Sequence, residues 1–449
     1  MPKGSEVGAF GEASAPYDEW KTFSARLQLK QASERLNQAD DSMDNSKYLD
    51  FLRGVRSGII ISFGEKRYHN FIEIINNAGT DKNRFLSELL QNADDCEYID
   101  GIEPKFTLEK TDGGLKIFYN ETGFTKENVR AITSIGESTK NHILENNKSA
   151  IGEKGIGFKS VFGVARKVEI HSNGFHFSLT DKKPTIPEKC SSKKETSGTT
   201  MIFEMKEDIE KSFNPDRILK LCTCLHHLKH ISIERSDVII TDNDVERIIT
   251  INKIHKYEFK KYIYYFTVTD QEALDERNAN MRSINPEQEI ILYIPTKKSK
   301  EQEYFVYSGL PLEIKCNVPL IVDAPFELTT ARDNIIENRW NSIIRSEMYQ
   351  AIVSFMKSIA SSKGLDILQY VGYPSKDKDG TFLWSSFEND YMNQFDWAVE
   401  LKHIPFIPVI GSDSLKRYTE MSSHELFPDF ILRTGAMPGI ADISGKTRY

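Results

Sequence analysis

The chain has no run of 18 apolar residues, so no segment reads as a membrane-spanning helix. Its opening stretch, MPKGSEVGAFGEASAP, lacks the apolar core of a secretory signal, and the expected compartment is cytoplasmic. Cysteine is scarce: five in 449 residues, an odd number scattered too widely for a disulfide framework and suited to a reducing compartment. Positive charge is not in excess. With 58 Lys+Arg against 66 Asp+Glu and a net charge of −8, broad attraction to DNA or anionic membrane is not expected, although a local basic groove is compatible with that total. The remainder, 39% hydrophobic and 28% charged, is the profile of a soluble globular protein long enough for two or three domains.

The most informative stretch is Phe85 to Asp95, FLSELLQNADD, in which Glu88, Asn92 and Asp95 recur at helical spacing with apolar residues between them. One helix face therefore carries a carboxylate, an amide and a second carboxylate. Further along, IGEKGIGFKS places Gly152, Gly155 and Gly157 where a backbone can approach phosphates before a helix opens. A P-loop is excluded, because Phe158 intervenes before Lys159 and Ser160. The G-x-G-x-x-G fingerprint fails as well, because Ser160 stands where its third glycine would be. Phosphoryl chemistry needs positioning and charge neutralisation above all. Glu88 can direct water, the Asn92 amide oxygen can ligate Mg²⁺, and Asp95 can support that shell or face a strand. Standing alone, the helix would read as an ordinary polar surface.

A second cluster, LCTCLHHLKH, gathers Cys222, Cys224, His226, His227 and His230 at spacings a zinc site could use. The simpler reading is a helix with Leu221, Leu225 and Leu228 as its apolar stripe and histidines favouring its C-terminal dipole.

Along the chain, Met1 to Pro16 reads as a disordered arm, followed by helices over Tyr17 to Asn37 and Asn45 to Val55 and an apolar run, Ile59 to Phe63, of undetermined form. Asn83 can cap the helix of FLSELLQNADD. Lys105 to Glu109 and Leu115 to Tyr119 alternate around TDGG as a hairpin, and Lys126 to Ile135 reads as a helix. The polar stretch Ser138 to Lys154 suits a loop over a ligand. Phe158 to Ala165 resumes a helix, Lys167 to Ser172, Phe175 to Leu179 and Thr199 to Met205 are strands, and KKPTIPEKCSSKKETSG reads as a surface loop. A helix over Pro215 to Leu228 closes this unit. A second α/β unit follows, with strands Val238 to Thr241, Arg247 to Asn252, Tyr262 to Thr269, Glu289 to Pro295 and Tyr304 to Ser308 before the helix Trp340 to Ser361.

Four segments in order, SELLQNADD, NETGF, IGEKGIGFKSVFGVA and SGTTMIF, resemble the boxes of the GHKL ATPases, which share the Bergerat nucleotide fold of gyrase B subunits, ninety-kilodalton heat-shock chaperones, MutL and histidine kinases. NETGFTKENVRAITSIGESTK is similar to the second box of the chaperone-like branch that includes sacsin and the plant NO VEIN proteins. The resemblance implies an α+β architecture: a Bergerat α/β sandwich over 67–236, a ribosomal protein S5 domain-like α/β unit over 237–362, an N-terminal arm and helices over 1–66, and a region of unknown fold over 363–449. It implies ATP and Mg²⁺ as ligands, with Glu88 as the water-orienting base and Asn92 on the metal. Gly152, Gly155 and Gly157 would cradle the phosphates with Lys159 nearby, and Asp95, Lys154, Ile156 and Phe158 would belong to the ATP-binding set. Ser138, Thr139 and Lys140 would lie in the lid, and Thr199 in the adenine-side network. The family's second box carries an Asp for the adenine amino group; alignment on Gly123 puts Tyr119 there, with Asn120 or Glu121 as substitutes.

PFELTTARDNI resembles the chaperone middle-domain loop whose arginine reaches the γ-phosphate, which nominates Arg332; an ordinary surface salt-bridge residue is the alternative. The expected activity is slow Mg²⁺-dependent ATP hydrolysis driving a chaperone-like or remodelling switch, with a homodimer as the implied assembly, no membrane partner, and an unspecified protein client. A nucleotide-binding regulatory module with weak or no hydrolysis, or an ATPase of a defence or nucleic-acid-processing system, is the alternative. A histidine kinase would need a phosphoacceptor ahead of Glu88, and His69 lies too near.

Overall fold

The computed structural model describes residues 43–63, 68–70, 72–73, 82–134, 157–190, 197–207, 215–279, 284–297, 303–328, 335–371, 373–376, 382–385, 397–407, 414–417 and 420. The expected helix Tyr17 to Asn37, and Ser138, Thr139, Lys140, Gly152, Lys154, Gly155, Ile156 and Arg332, lie outside the described residues.

The architecture is α+β, built on a large mixed sheet. Its first half contains helices α1 (Asn45–Phe63), α2 (Lys82–Asp94), α3 (Lys126–Ile132) and α4 (Pro215–Cys222), with strands β1 (Lys105–Thr111), β2 (Gly114–Tyr119), β3 (Ala165–Ser172), β4 (Phe175–Thr180), β5 (Lys183–Lys189), β6 (Thr199–Met205) and β7 (His230–Ile233). The second half adds β8 (Ser236–Asp242), β9 (Glu246–Ile251), β10 (His255–Thr267), α5 (Gln271–Ala279), β11 (Glu287–Pro295), β12 (Tyr304–Ser308), β13 (Leu310–Cys316), β14 (Ile321–Asp323) and α6 (Arg339–Lys363). Fourteen strands pair in the order β13-β12-β14-β11-β10-β9-β8-β7-β1-β2-β6-β3-β4-β5. Only β1 with β7 and β12 with β14 are parallel among these pairs. The expected division at 236/237 falls at the start of β8, and that at 362/363 at the end of α6.

Local chemistry accounts for these elements. β2 buries Leu115, Ile117 and Tyr119 at alternate positions, and Gly113 at φ +84° closes the hairpin to β1. Asn173 and Gly174, at φ +43° and +75°, form the two-residue turn joining β3 to β4. Helix α2 buries Phe85, Leu86, Leu89, Leu90 and Ala93, with the Phe85 ring edge-on to Phe203 of β6 at 5.4 Å. Each such large side chain stabilises by about 1.5–3 kcal/mol, which exceeds anything intrinsic propensity supplies to a helix this short. Helix α6 is capped by the Asn338 side chain and packs on β10, where Tyr262 meets Phe355 at 5.4 Å and hydrogen-bonds Ser354 at 2.7 Å.

Several elements differ from expectation: the helix expected over Phe158 to Ala165 is a 3-10 turn, Gly157–Gly163, with Ala165 already in β3, and β10 begins at His255, ahead of the expected Tyr262. The segment read as a surface loop contains β5, whose Pro184 and Pro187 are tolerated because it is the last strand of the sheet. Helix α1 covers it, with Arg53 Nε donating to Pro187 O at 2.8 Å and Lys189 Nζ pairing with Asp50 at 2.5 Å. Helix α1 also runs unbroken through the apolar run ending at Phe63. Helix α4 stops at Cys222 rather than Leu228, because the next turn is held by α2 as described below.

Gly198, at φ +125°, abuts the end of β2, where an added Cβ would lie 2.4 Å from Tyr119 O and 2.9 Å from Asn120 Cα. Gly198→Ala is expected to lower stability by at least about 1–3 kcal/mol, read as a lower urea midpoint with an unchanged slope. An unaltered midpoint would show that the β2–β6 junction relaxes freely.

Candidate functional site

Because the apolar stripe of α2 faces the sheet, Glu88, Asn92 and Asp95 share its flank. Glu88 is 1% exposed, whereas Asn92 and Asp95 are half-buried. The Asn92 side-chain amide makes no hydrogen bond among the described residues, while its carbonyl accepts from Cys96 Sγ at 3.1 Å. The 3-10 turn Gly157–Gly163 packs on α2, with Phe158 against the core and Lys159 wholly buried. The structure thus brings α2, which carries Glu88 and Asn92, against the end of the glycine segment.

Beyond α2 the chain returns to the sheet. Tyr98 OH donates to Ala93 O at 2.8 Å, and Tyr98 forms an antiparallel bridge with Glu121. Glu121 is 5% exposed, yet both of its oxygens have donors: Gly123 N–H reaches Oε2 at 2.7 Å, and the Thr199 hydroxyl makes a short bond to Oε1. Thr199 Oγ1 also lies 2.6 Å from Ser172 Oγ, which accepts from Phe124 N–H at 2.7 Å. Thr199 has one hydroxyl proton. With the carboxylate ionised, that proton goes to Glu121, and Ser172 donates in turn to Thr199. Each element contributes one link: β3 ends at Ser172, β6 begins at Thr199, and Glu121 follows β2.

This geometry separates the three candidates for the base-recognising position. Tyr119 turns into the core, its ring stacked on Phe106 at 6.5 Å, and burial pushes its phenol well above the ordinary value. The Asn120 amide is engaged by the backbone, accepting from Lys105 N at 2.6 Å and donating to Glu103 O at 2.9 Å. Glu121 remains, a buried acceptor oriented by Gly123 and Thr199. Burial raises its pKa above 4.5, against the lowering effect of the Thr199 and Gly123 bonds.

Two residues escaped the sequence reading. Ser172 carries no local motif, although the Asn173-Gly174 turn marks the strand end that presents it. Asp94, beside the expected Asp95, is the buried one: its carboxylate accepts from the backbone N–H groups of His226 at 2.6 Å, His227 at 2.8 Å and Leu228 at 2.8 Å. These converging amides cannot also continue α4, which explains its early end. Cys222 and Cys224 are buried, with the Cys222 thiol pushed up to about 12 by desolvation. Among the described residues, no group of three or more His, Cys, Asp or Glu is arranged to hold a metal.

The donor set suits a magnesium nucleotide. Mg²⁺ prefers hard oxygen ligands and commonly keeps only one or two from protein; the Asn92 amide offers one, and Glu121 offers a buried acceptor to an amino group.

No family model matches the chain. Protein NO VEIN of Arabidopsis thaliana is 50% identical over 97 residues, covering 21% of this chain and 3% of that protein. Chaperone protein HtpG of Clostridium acetobutylicum is 29% identical over 169 residues, and that of Sulfurovum sp. 31% over 163. Each HtpG match covers 30% of this chain and 26% of the relative, so the chain spans about a quarter of these relatives. The similarity supports a relation to the heat-shock chaperone-like GHKL proteins.

The raised pKa of Glu121 has a signed consequence. The folded state holds this proton more tightly than the unfolded one, so the associated stability is complete below 4.5 and is lost as pH rises through the higher folded value. Glu121→Gln is expected to flatten that limb in denaturant titrations between acid and neutral pH. A parallel loss in wild type and variant would show that other groups govern it.

Proposed function

We propose that residues 67–236 form a Bergerat-type site that binds Mg²⁺-ATP and hydrolyses it slowly, and that 237–362 serve as a second, S5-like unit. The observation that carries this reading is the Ser172–Thr199–Glu121 chain, which joins the ends of β3, β6 and β2. It supplies a fixed acceptor to which an adenine amino group would donate, with Glu88 and Asn92 of α2 serving the phosphate end. The sacsin and NO VEIN-like branch is the finer part of this proposal, prompted by the 50% identity to NO VEIN over 97 residues.

Bound Mg²⁺ would neutralise triphosphate charge. Asn92 would contribute its amide oxygen to the ion. Glu88, one turn earlier on the same helix, would orient a water molecule and take its proton. Lys159, with Gly152, Gly155 and Gly157 of the same segment, would hold the phosphates, and Lys154, Ile156 and Phe158 would frame them. Ser138, Thr139 and Lys140 would close over the nucleotide as part of the lid. Arg332 would add positive charge at the γ-phosphate from the second unit. Closure would favour a homodimer, and reopening after hydrolysis would reset a chaperone-like or remodelling switch in the cytoplasm.

Glu88→Ala should keep ATP binding but lose turnover by about 10²–10⁴-fold, the usual contribution of a general base. Phosphate release under saturating Mg²⁺-ATP measures this, and unchanged turnover would remove Glu88 from the mechanism. Asn92→Ala should abolish the Mg²⁺-dependent part of ATP affinity in calorimetry; wild-type affinity would return α2 to a surface helix. Arg332→Ala should lower kcat with little change in affinity. Binding without phosphate release by the wild-type chain would favour the nucleotide-sensing module.

A further inference from the structure

The turn 225–228 is gripped from both halves of the molecule. On one side stands Asp94, the last residue of α2, whose carboxylate takes three backbone N–H groups of the turn and whose carbonyl meets His227 Nδ1 at 2.5 Å. On the other side, Arg247 of β9, with no solvent exposure, binds Leu225 O through Nη2. Its Nη1 lies 3.6 Å from Asp242 of β8 and 3.4 Å from the hydroxyl of Tyr293 on β11, and Lys261 of β10 completes the cluster 3.2 Å from Asp242. His226 Nε2 reaches Asp323 of β14 at 3.4 Å, and Asp323 accepts from Gly309 N–H at 2.9 Å. Just upstream, Tyr307 of β12 donates to Lys220 O at 2.9 Å.

A junction of this kind is unfavourable unless its members are satisfied together, since charges out of water need both partners and geometry. Apolar packing would hold two units together while permitting small slips. Directional bonds from the Asp94 carboxylate and the Arg247 guanidinium onto one four-residue turn, and from that turn's His226 imidazole to Asp323, fix a register. The same helix, α2, carries Glu88 and Asn92, which precede Asp94 in its last two turns.

We infer that Asp94 is a positioning residue and that the 225–228 turn is a joint through which occupancy of the α2 site is felt in the second half of the sheet. The inference rests on the nucleotide reading above and adds the element through which that site communicates. Asp94 touches no reacting group. It holds the helix that does, and the turn it grips is shared with Arg247 and Asp323. Asp94→Asn would keep the shape while turning an NH₂ group toward backbone donors, which loosens the grip.

The test is hydrogen exchange on the full chain, with and without Mg²⁺ and a non-hydrolysable ATP analogue at saturation, comparing wild type with Asp94→Asn and His226→Gln. In wild type, exchange is expected to slow on α2, at His226, His227 and Leu228, and at Gly309, by about 5- to 150-fold, the usual range of coupling between sites. In Asp94→Asn the slowing should persist on α2 and vanish at 226–228 and 309. In His226→Gln it should persist through 228 and vanish at Gly309 alone. Slowing confined to α2 in the wild type would overturn the joint and leave nucleotide binding intact. Equal slowing at all positions in Asp94→Asn would also overturn it. No slowing anywhere would overturn the nucleotide reading and the joint with it.

Discussion

The Asp94 carboxylate is buried at the end of α2, and it is satisfied by backbone amides 132 to 134 residues further along the chain. A buried carboxylate that lost those donors would be strongly unfavourable, so the helix and the turn must be placed together. That single requirement fixes the end of α2, stops α4 at Cys222, and sets the path into β7. Since β7 continues through β8 into the second half, the placement of α2 and the course of the long sheet are one structural fact.

Glu121 meets the same constraint differently. Its carboxylate is buried but oriented, with one donor on each oxygen and further acceptor capacity left over. Thr199 and Ser172 make that orientation depend on three strands of one sheet, so the acceptor is preorganised. Recognition by such a group discriminates sharply, because a ligand that presents an acceptor instead of a donor leaves buried lone pairs facing each other.

Periodic features were legible in the sequence. The apolar stripe of α2, the β1–β2 hairpin, the β3, β4 and β6 strands and the long α6 all follow from local pattern, because in each the buried face repeats at the period of the element. β5 was not legible, since its prolines argue for a loop unless it is known to lie at an edge that α1 covers. The extent of α4 was hidden for a different reason: its stop signal is Asp94, remote in sequence. At the site, the spacing of Glu88, Asn92 and Asp95 could be read from one helix. The choice among Tyr119, Asn120 and Glu121 could not, because it depends on which side chain meets Thr199 across the sheet, and only pairing of β2 with β6 decides that.

The central claim is that Glu121 presents an acceptor to the amino group of an adenine nucleotide whose phosphates lie along α2. Calorimetric titration of the full chain with Mg²⁺-ATP and, separately, Mg²⁺-GTP tests it most directly, since the two differ at the position Glu121 would read. The account predicts saturable binding of ATP and at least about 10²-fold weaker binding of GTP, the scale on which mismatched buried polar groups discriminate. Equal affinity for the two, or no binding of ATP, would contradict it.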